Sequence, residues 1–332
     1  MFQPNRKPGR TIASIVACLV LVLGSALILI FKQTILDYIV VWQFKPSSEI
    51  ETIATRDMMS GMGKFMFYTS QPEVDSAANF NEVCNRQENT TSILGCFSNS
   101  RIYIYDVVDP KLDGIREVTA AHEMLHAVYS RMSDSEKVKI NALLEAEYAK
   151  IQNKKEFSDL IAFYARTEPG ERDNELHSVI GTEVASLDPQ LEAHYAEYFT
   201  NRQAVVGFYD KYNGVFKELA TRAALLATEL TTLSDQISYN STKYNSDVQQ
   251  LNSDISAFNQ KASKNQFISQ SQFNNERNSL TSRVAALTSD KAQIDSDIVK
   301  YNKTLTEYNS IATQSTQLYN SIDSTLVSAP SV

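Results

Sequence analysis

The sequence predicts a mainly helical α+β protein with a small sheet, preceded by one transmembrane helix and followed by a long antiparallel helical hairpin. Three observations carry this: an uncharged run from Thr11 to Phe31, short strand-like stretches between positions 64 and 107, and apolar residues at helical spacing over most of the remainder. With 332 residues, 43% of them hydrophobic and 10% aromatic, the chain can bury a sizeable core, which excludes a wholly disordered protein. The formal charge of -8 and the lack of any long basic run exclude nucleic acid as the main partner, because phosphate binding needs clustered Lys and Arg.

The run over 11–31 is long enough to cross a hydrocarbon core as a helix. Arg6, Lys7 and Arg10 precede it and only Lys32 follows closely, so the positive-inside rule puts residues 1–10 in the cytoplasm and the chain beyond about residue 35 outside. A cleaved signal peptide is the competing reading, but the run exceeds a usual signal core and no small-x-small site follows. Residues 32–60 read as a juxtamembrane stalk, with Tyr38 and Trp42 at the level of an interfacial belt. Outside the membrane, Cys84 and Cys96 would meet oxidising conditions, where a disulfide closing their short loop is favoured over two buried thiols. Cys18 reads as packing. Asn89, Asn240 and Asn302 match the glycosylation pattern, a weak signal without further context.

Residues 61–212 read as one compact domain. Strands are expected at 64–69, 92–97 and 101–107, the last from the alternation Ile102, Tyr103, Ile104, Tyr105. Asp109-Pro110 and Asp113-Gly114 punctuate the chain before a helix running from about Asp113 to Met132. Further helices are expected over 135–151, 158–166, 171–186 and from Pro189 onward, with Asp188 as N-cap. Residues 213–326 turn to Ser, Thr, Asn and Gln with apolar positions in steps of three, four or seven, among them Leu226, Leu233, Leu251, Leu280, Leu287 and Ile294. The period lapses over 259–272, which predicts two helices folded back on each other; a parallel coil between two chains is the alternative. Residues 327–332 are expected to be disordered.

Within the helix after Asp113 lies Thr119-Ala120-Ala121-His122-Glu123-Met124-Leu125-His126-Ala127-Val128. Residues four apart share a helix face, so both imidazoles can reach one metal ion, and Glu123 projects beside that ion within reach of its water. Zinc suits this donor set, polarising the water and the scissile carbonyl while the carboxylate moves the proton. The bland reading is a surface helix with two solvated histidines; it fits poorly here, because Ala120, Ala121, Met124, Leu125 and Val128 leave little polar face around His122.

This stretch resembles the zincin metallopeptidases, with Thr119 three before the first histidine and Val128 two after the second. The likeness implies an extended substrate paired with an edge strand ahead of the helix, for which 101–107 is the expected element. It also implies a third protein ligand. No His-x-x-Gly-x-x-His continuation follows His126, so the gluzincin branch is the nearer match, and its ligand glutamate corresponds to Asn174-Glu175 with Ser178 three beyond. Where thermolysin-like enzymes place an Asp four after that ligand, Val179 stands, which leaves open what supports the zinc-bound His. Glu183, with Ser186 three beyond, is the competitor to Glu175, and His177 a weaker one, its bland reading a partly exposed side chain. His194, Tyr195 and Tyr198 are candidate donors to an oxyanion, against ordinary helix packing for the tyrosines.

The leading expectation is therefore an extracytoplasmic, membrane-anchored endopeptidase using one zinc ion, with His122, His126 and Glu175 as ligands and Glu123 as general base. Its partners would be a peptide or protein substrate, the membrane through 11–31, and a protein or second copy through the coiled coil. The alternative is a structural or regulatory envelope protein whose zincin-like domain is idle and whose hairpin does the binding.

Overall fold

The computed structural model describes residues 16–19, 21, 22, 25, 29, 31–84, 92–167 and 170–326. The expected span over 11–31 lies largely outside these residues, as do 1–10, Asn89 and 327–332; among the described residues no helix is long and apolar enough to cross a membrane. What is described is mostly helical with a small sheet, the α+β composition expected. The chain divides into two compact units, one of Met1–Gly214 with Asn320–Val332, the other Val215–Tyr319.

The first unit opens with α1 (Lys32–Gln43), α2 (Ser48–Arg56) and α3 (Gly61–Thr69). Two expectations are corrected here. The stretch read as a stalk folds into the domain, since Ile50, Ile53 and Ala54 of α2 are core residues. The strand expected at 64–69 is helix α3: a short apolar run has no period that tells strand from buried helix, and Ser60 decides it by capping the Gly63 amide at 3.0 Å.

Next come β1 (Glu73–Asp75), α4 (Ala77–Val83), β2 (Gly95–Ser98) and β3 (Arg101–Tyr105). The strand order is β1-β3-β2, with β1 parallel and β2 antiparallel to β3. β3 is thus the central strand, with β1 and β2 at the edges, which overturns the expected edge role of 101–107. The reason lies in its two faces: Ile102 and Ile104 enter the main core, while Tyr103 joins Phe80 and Cys84 in a second cluster. A strand covered on both faces suits the middle of a sheet. β1 has no signal a reading by period could find, being only three residues long. Cys84 and Cys96 form a disulfide that ties β2 to the end of α4.

Helices α5 (Ile115–Arg131), α6 (Asp134–Ile151), α7 (Lys155–Thr167), α8 (Arg172–Glu183) and α9 (Pro189–Tyr195) complete the fold around α5, before α10 (Gln203–Ser263) begins. α6 starts with a capping box between Ser133 and Glu136, and Asp188 caps α9 as expected. α5 is buried almost all round, its Ala120, Ala121, Met124, Leu125 and Ala127 fully so. Gly181 lets α8 lie close against it: a Cβ there would come within 2.5 Å of Leu125 Cδ1 and 2.7 Å of Tyr195 Cε1. After α11 (Gln270–Ile322) the chain returns to this unit, where Ser324 and the Asn81 side chain exchange hydrogen bonds of 2.6 and 2.7 Å.

The second unit is a two-helix antiparallel hairpin of α10 and α11. Ion pairs Arg222–Glu307, Lys300–Glu229, Arg283–Asp254 and Lys261–Glu276 step in opposite directions along the two helices, which a parallel arrangement cannot produce. Leu226, Leu233, Leu251, Ile294 and Leu318 line the seam, and Phe258, Phe267 and Phe273 pack together at the turn with centroids 5.0–5.2 Å apart.

Candidate metal centre

His122 and His126 project from one face of α5, as their spacing requires. Their Nε2 atoms are 3.0 Å apart, with ring planes at 78°. Glu175, from the first turn of α8, closes the group: its Oε2 lies 3.5 Å from His122 Nε2 and its Oε1 3.4 Å from His126 Nε2. Zinc bonds of about 2.0–2.1 Å in a tetrahedron need donor atoms about 3.3 Å apart; the imidazole pair and each imidazole–carboxylate contact, made by a different Glu175 oxygen, have separations of this size, and the three side chains form a triangle. Glu175 is 4% exposed and its Oε2 has no hydrogen-bond partner. A buried carboxylate oxygen without a donor is costly, and a cation at the centre of the triangle would relieve it.

Electrostatics prepare the same end. Burial pushes the His122 imidazole down to about 4. Burial also lowers His126, opposed by the Glu175 charge and by the hydrogen bond to Asn174. Glu175 is raised, first by burial and then by Glu171, while His126 and a hydrogen bond from Tyr164 pull it back. Both imidazoles are therefore neutral at pH 7, the form that ligates a metal.

The tautomer of His126 follows from its neighbours. Asn174 Nδ2 donates to Glu171 Oε2 at 3.0 Å, which turns Asn174 Oδ1 toward His126 Nδ1 at 2.9 Å. An amide oxygen only accepts, so Nδ1 carries the proton and Nε2 presents its lone pair to the triangle. Ser178 Oγ sits 3.3 Å from the same Nδ1. Asn174 and Ser178, which the sequence reading used only as markers of Glu175, thus supply the orientation that an acidic residue at 179 would have given. Tyr164 was not foreseen at all; its position in α7 carries no pattern that links it to Glu175.

Glu123 is 5% exposed and belongs with His122 and His126 to a group whose candidate ligand atoms lie within 4.8 Å of one another. Its carboxylate faces the edge strand. A Cβ on Gly95 would come within 2.8 Å of Glu123 Oε1 and 2.5 Å of Thr119 Cγ2, so only glycine leaves that space.

The other expected residues make different contacts. Glu183 is eight positions beyond Glu175 on α8, about 12 Å along the helix axis, and its charge acts on Tyr212 instead. His177 is fully buried, contrary to its reading as partly exposed, with Nε2 2.8 Å from His194 Nε2. Tyr195 donates to the His177 carbonyl at 2.7 Å and Tyr198 packs against the His194 ring at 5.5 Å, so Tyr195 braces helix against helix rather than facing the triangle.

No family model, curated protein or solved structure matches the chain. The likeness to zincins accordingly rests on the residues of this site.

A pH consequence follows from the buried imidazoles. An unfolded histidine protonates near pH 6.5, whereas folded His122 resists down to about 4, so below 6.5 the unfolded state binds more protons. The contribution of His122 to the stability of the metal-free chain should therefore be fully present above about pH 6.5 and fall as the pH drops toward 4, by about 3 kcal/mol for one such group. Urea titrations of the metal-free parent chain and of His122→Gln between these values separate it from the opposite effect of the raised Glu175 carboxyl, and the same pH slope in both would contradict the burial of His122.

Proposed function

We propose that the chain is a membrane-anchored zinc-dependent endopeptidase, with His122, His126 and Glu175 holding one zinc ion and Glu123 as general base. The observation that carries this reading is the triangle of side chains, His122, His126 and Glu175, whose nearest donor atoms are 3.0–3.5 Å apart, with the Glu123 carboxylate next to it. Bound there, zinc supplies a Lewis acid for the scissile carbonyl and acidifies the attacking water.

The chain's own residues do the rest. Asn174 holds the Nδ1 proton of His126, so that ring keeps one orientation. Glu123 takes a proton from the attacking water and returns it to the amine nitrogen that leaves as the peptide bond breaks. β2 pairs only with β3 among the described residues, so its other edge offers backbone donors and acceptors to an extended peptide. Gly95, at the start of that strand, keeps the space above Glu123 clear. The uncharged run over 11–31 supports the anchor, and the disulfide suits an extracytoplasmic domain.

The test uses the full chain purified in detergent. Elemental analysis should find one zinc per chain, and cleavage of an unfolded protein substrate should stop with a chelator and return with added zinc. Absence of any transition metal overturns the reading; bound zinc with no cleavage of any substrate tried would instead favour the idle scaffold.

A further inference from the structure

α1 is amphipathic in the opposite sense to a helix on a soluble domain. At 100° per residue, Ile35, Tyr38, Ile39 and Trp42 fall within an arc of about 100°. These four are 42%, 63%, 45% and 84% exposed. The opposite side carries Asp37, buried at 6%. Two contacts dock the helix: one side of the Tyr38 ring rests on Phe65 of α3 with centroids 4.9 Å apart, and Asp37 is held by Arg131, whose Nε reaches Oδ2 at 3.0 Å and Nη2 reaches Oδ1 at 3.1 Å, while Gln33 adds a third bond at 3.0 Å. A two-point guanidinium–carboxylate pair shielded from water fixes orientation as well as distance. Arg131 is the last residue of α5, the helix that carries His122, Glu123 and His126.

We propose that the Ile35, Tyr38, Ile39 and Trp42 face lies in the interfacial layer of a lipid bilayer, and that the Asp37–Arg131 clamp thereby holds the metal-site helix in one fixed orientation to the membrane. The inference rests on the anchored reading above. A bilayer is the occupant because α1 follows directly on the uncharged run, with Lys32 the only charge between that run and the exposed face. Trp and Tyr favour the headgroup boundary, where one part of the ring is wet and the rest apolar. No charged side chain occupies the arc, whereas a helix that faced water would carry several there.

Trp42 is the only tryptophan in the chain, so its fluorescence reports on this face alone. The full chain would be reconstituted in phosphatidylcholine–phosphatidylglycerol vesicles whose acyl chains carry bromine near the headgroup or near the bilayer centre. The expected result is flotation with the vesicles and loss of about half or more of the emission with shallow bromine, with much less loss for deep bromine, as an interfacial ring requires. A chain that floats but whose emission ignores both lipids overturns the inference and leaves the anchor standing, with a second copy or another protein covering the face. A chain that does not float overturns both.

Discussion

Glu123→Gln is expected to lower kcat by about 10²–10⁴-fold while zinc content and KM stay near those of the parent chain. Glutamine has the size of glutamate, so it fits the space between Thr119 and Gly95 that the carboxylate occupies. It cannot accept the proton of the attacking water at neutral pH. The triangle of His122, His126 and Glu175 does not include Glu123, so the metal keeps its protein donors. Steady-state kinetics on one peptide substrate, paired with elemental analysis of the same preparation, separates the two properties. Cleavage at the parent rate would remove Glu123 from the reaction; loss of zinc would make it a structural ligand instead.

The second large effect separates the two glutamates of α8. Glu175→Ala should weaken zinc binding by more than the about 10–100-fold that follows loss of a partner one bond further from a metal. Glu183→Ala should leave affinity unchanged. Chelator competition measures both. A further sign distinguishes a ligand from a packing residue: without metal, Glu175 is a buried carboxyl with an unpartnered oxygen, so its removal should cost the metal-free chain much less than the zinc-bound one. The parent chain with zinc should then be more stable than Glu175→Ala with zinc, and the gap should narrow once metal is stripped. Retention of zinc by Glu175→Ala, with loss in Glu183→Ala, would reverse the assignment.

These expectations show where the chain was readable. The pair on α5 was legible because a four-residue step on a helix permits only one outcome, two side chains on one face. That Glu175 lies beside the imidazoles agrees with the likeness of Asn174, Glu175 and Ser178 to the gluzincin pattern, although the contacts of Asn174 and Ser178 with His126 were not legible. That contact spans 48 positions, and nothing local in either segment encodes it. Tyr164 is the same case with no flanking pattern to help. α3 was misread because Lys64–Thr69 is too short and too uniformly apolar to show a period. The role of β3 was misread because its alternation describes two covered faces equally well as one covered and one open.

Local chain geometry therefore settled the helix bearing both histidines, the capped start of α9, the alternation in β3 and the two long tail helices. All of these depend on repeats of two or 3.6 residues and on side chains bonding to backbone a few positions away. Folding in three dimensions decided that Glu175 reaches the imidazoles, that Asn174 and Ser178 orient His126, that β3 is central and β2 an edge, and that Asp37 is clamped by Arg131. Each of these joins segments distant in sequence, and which segments meet is set by how the whole core packs, a sum over many contacts that no short window contains.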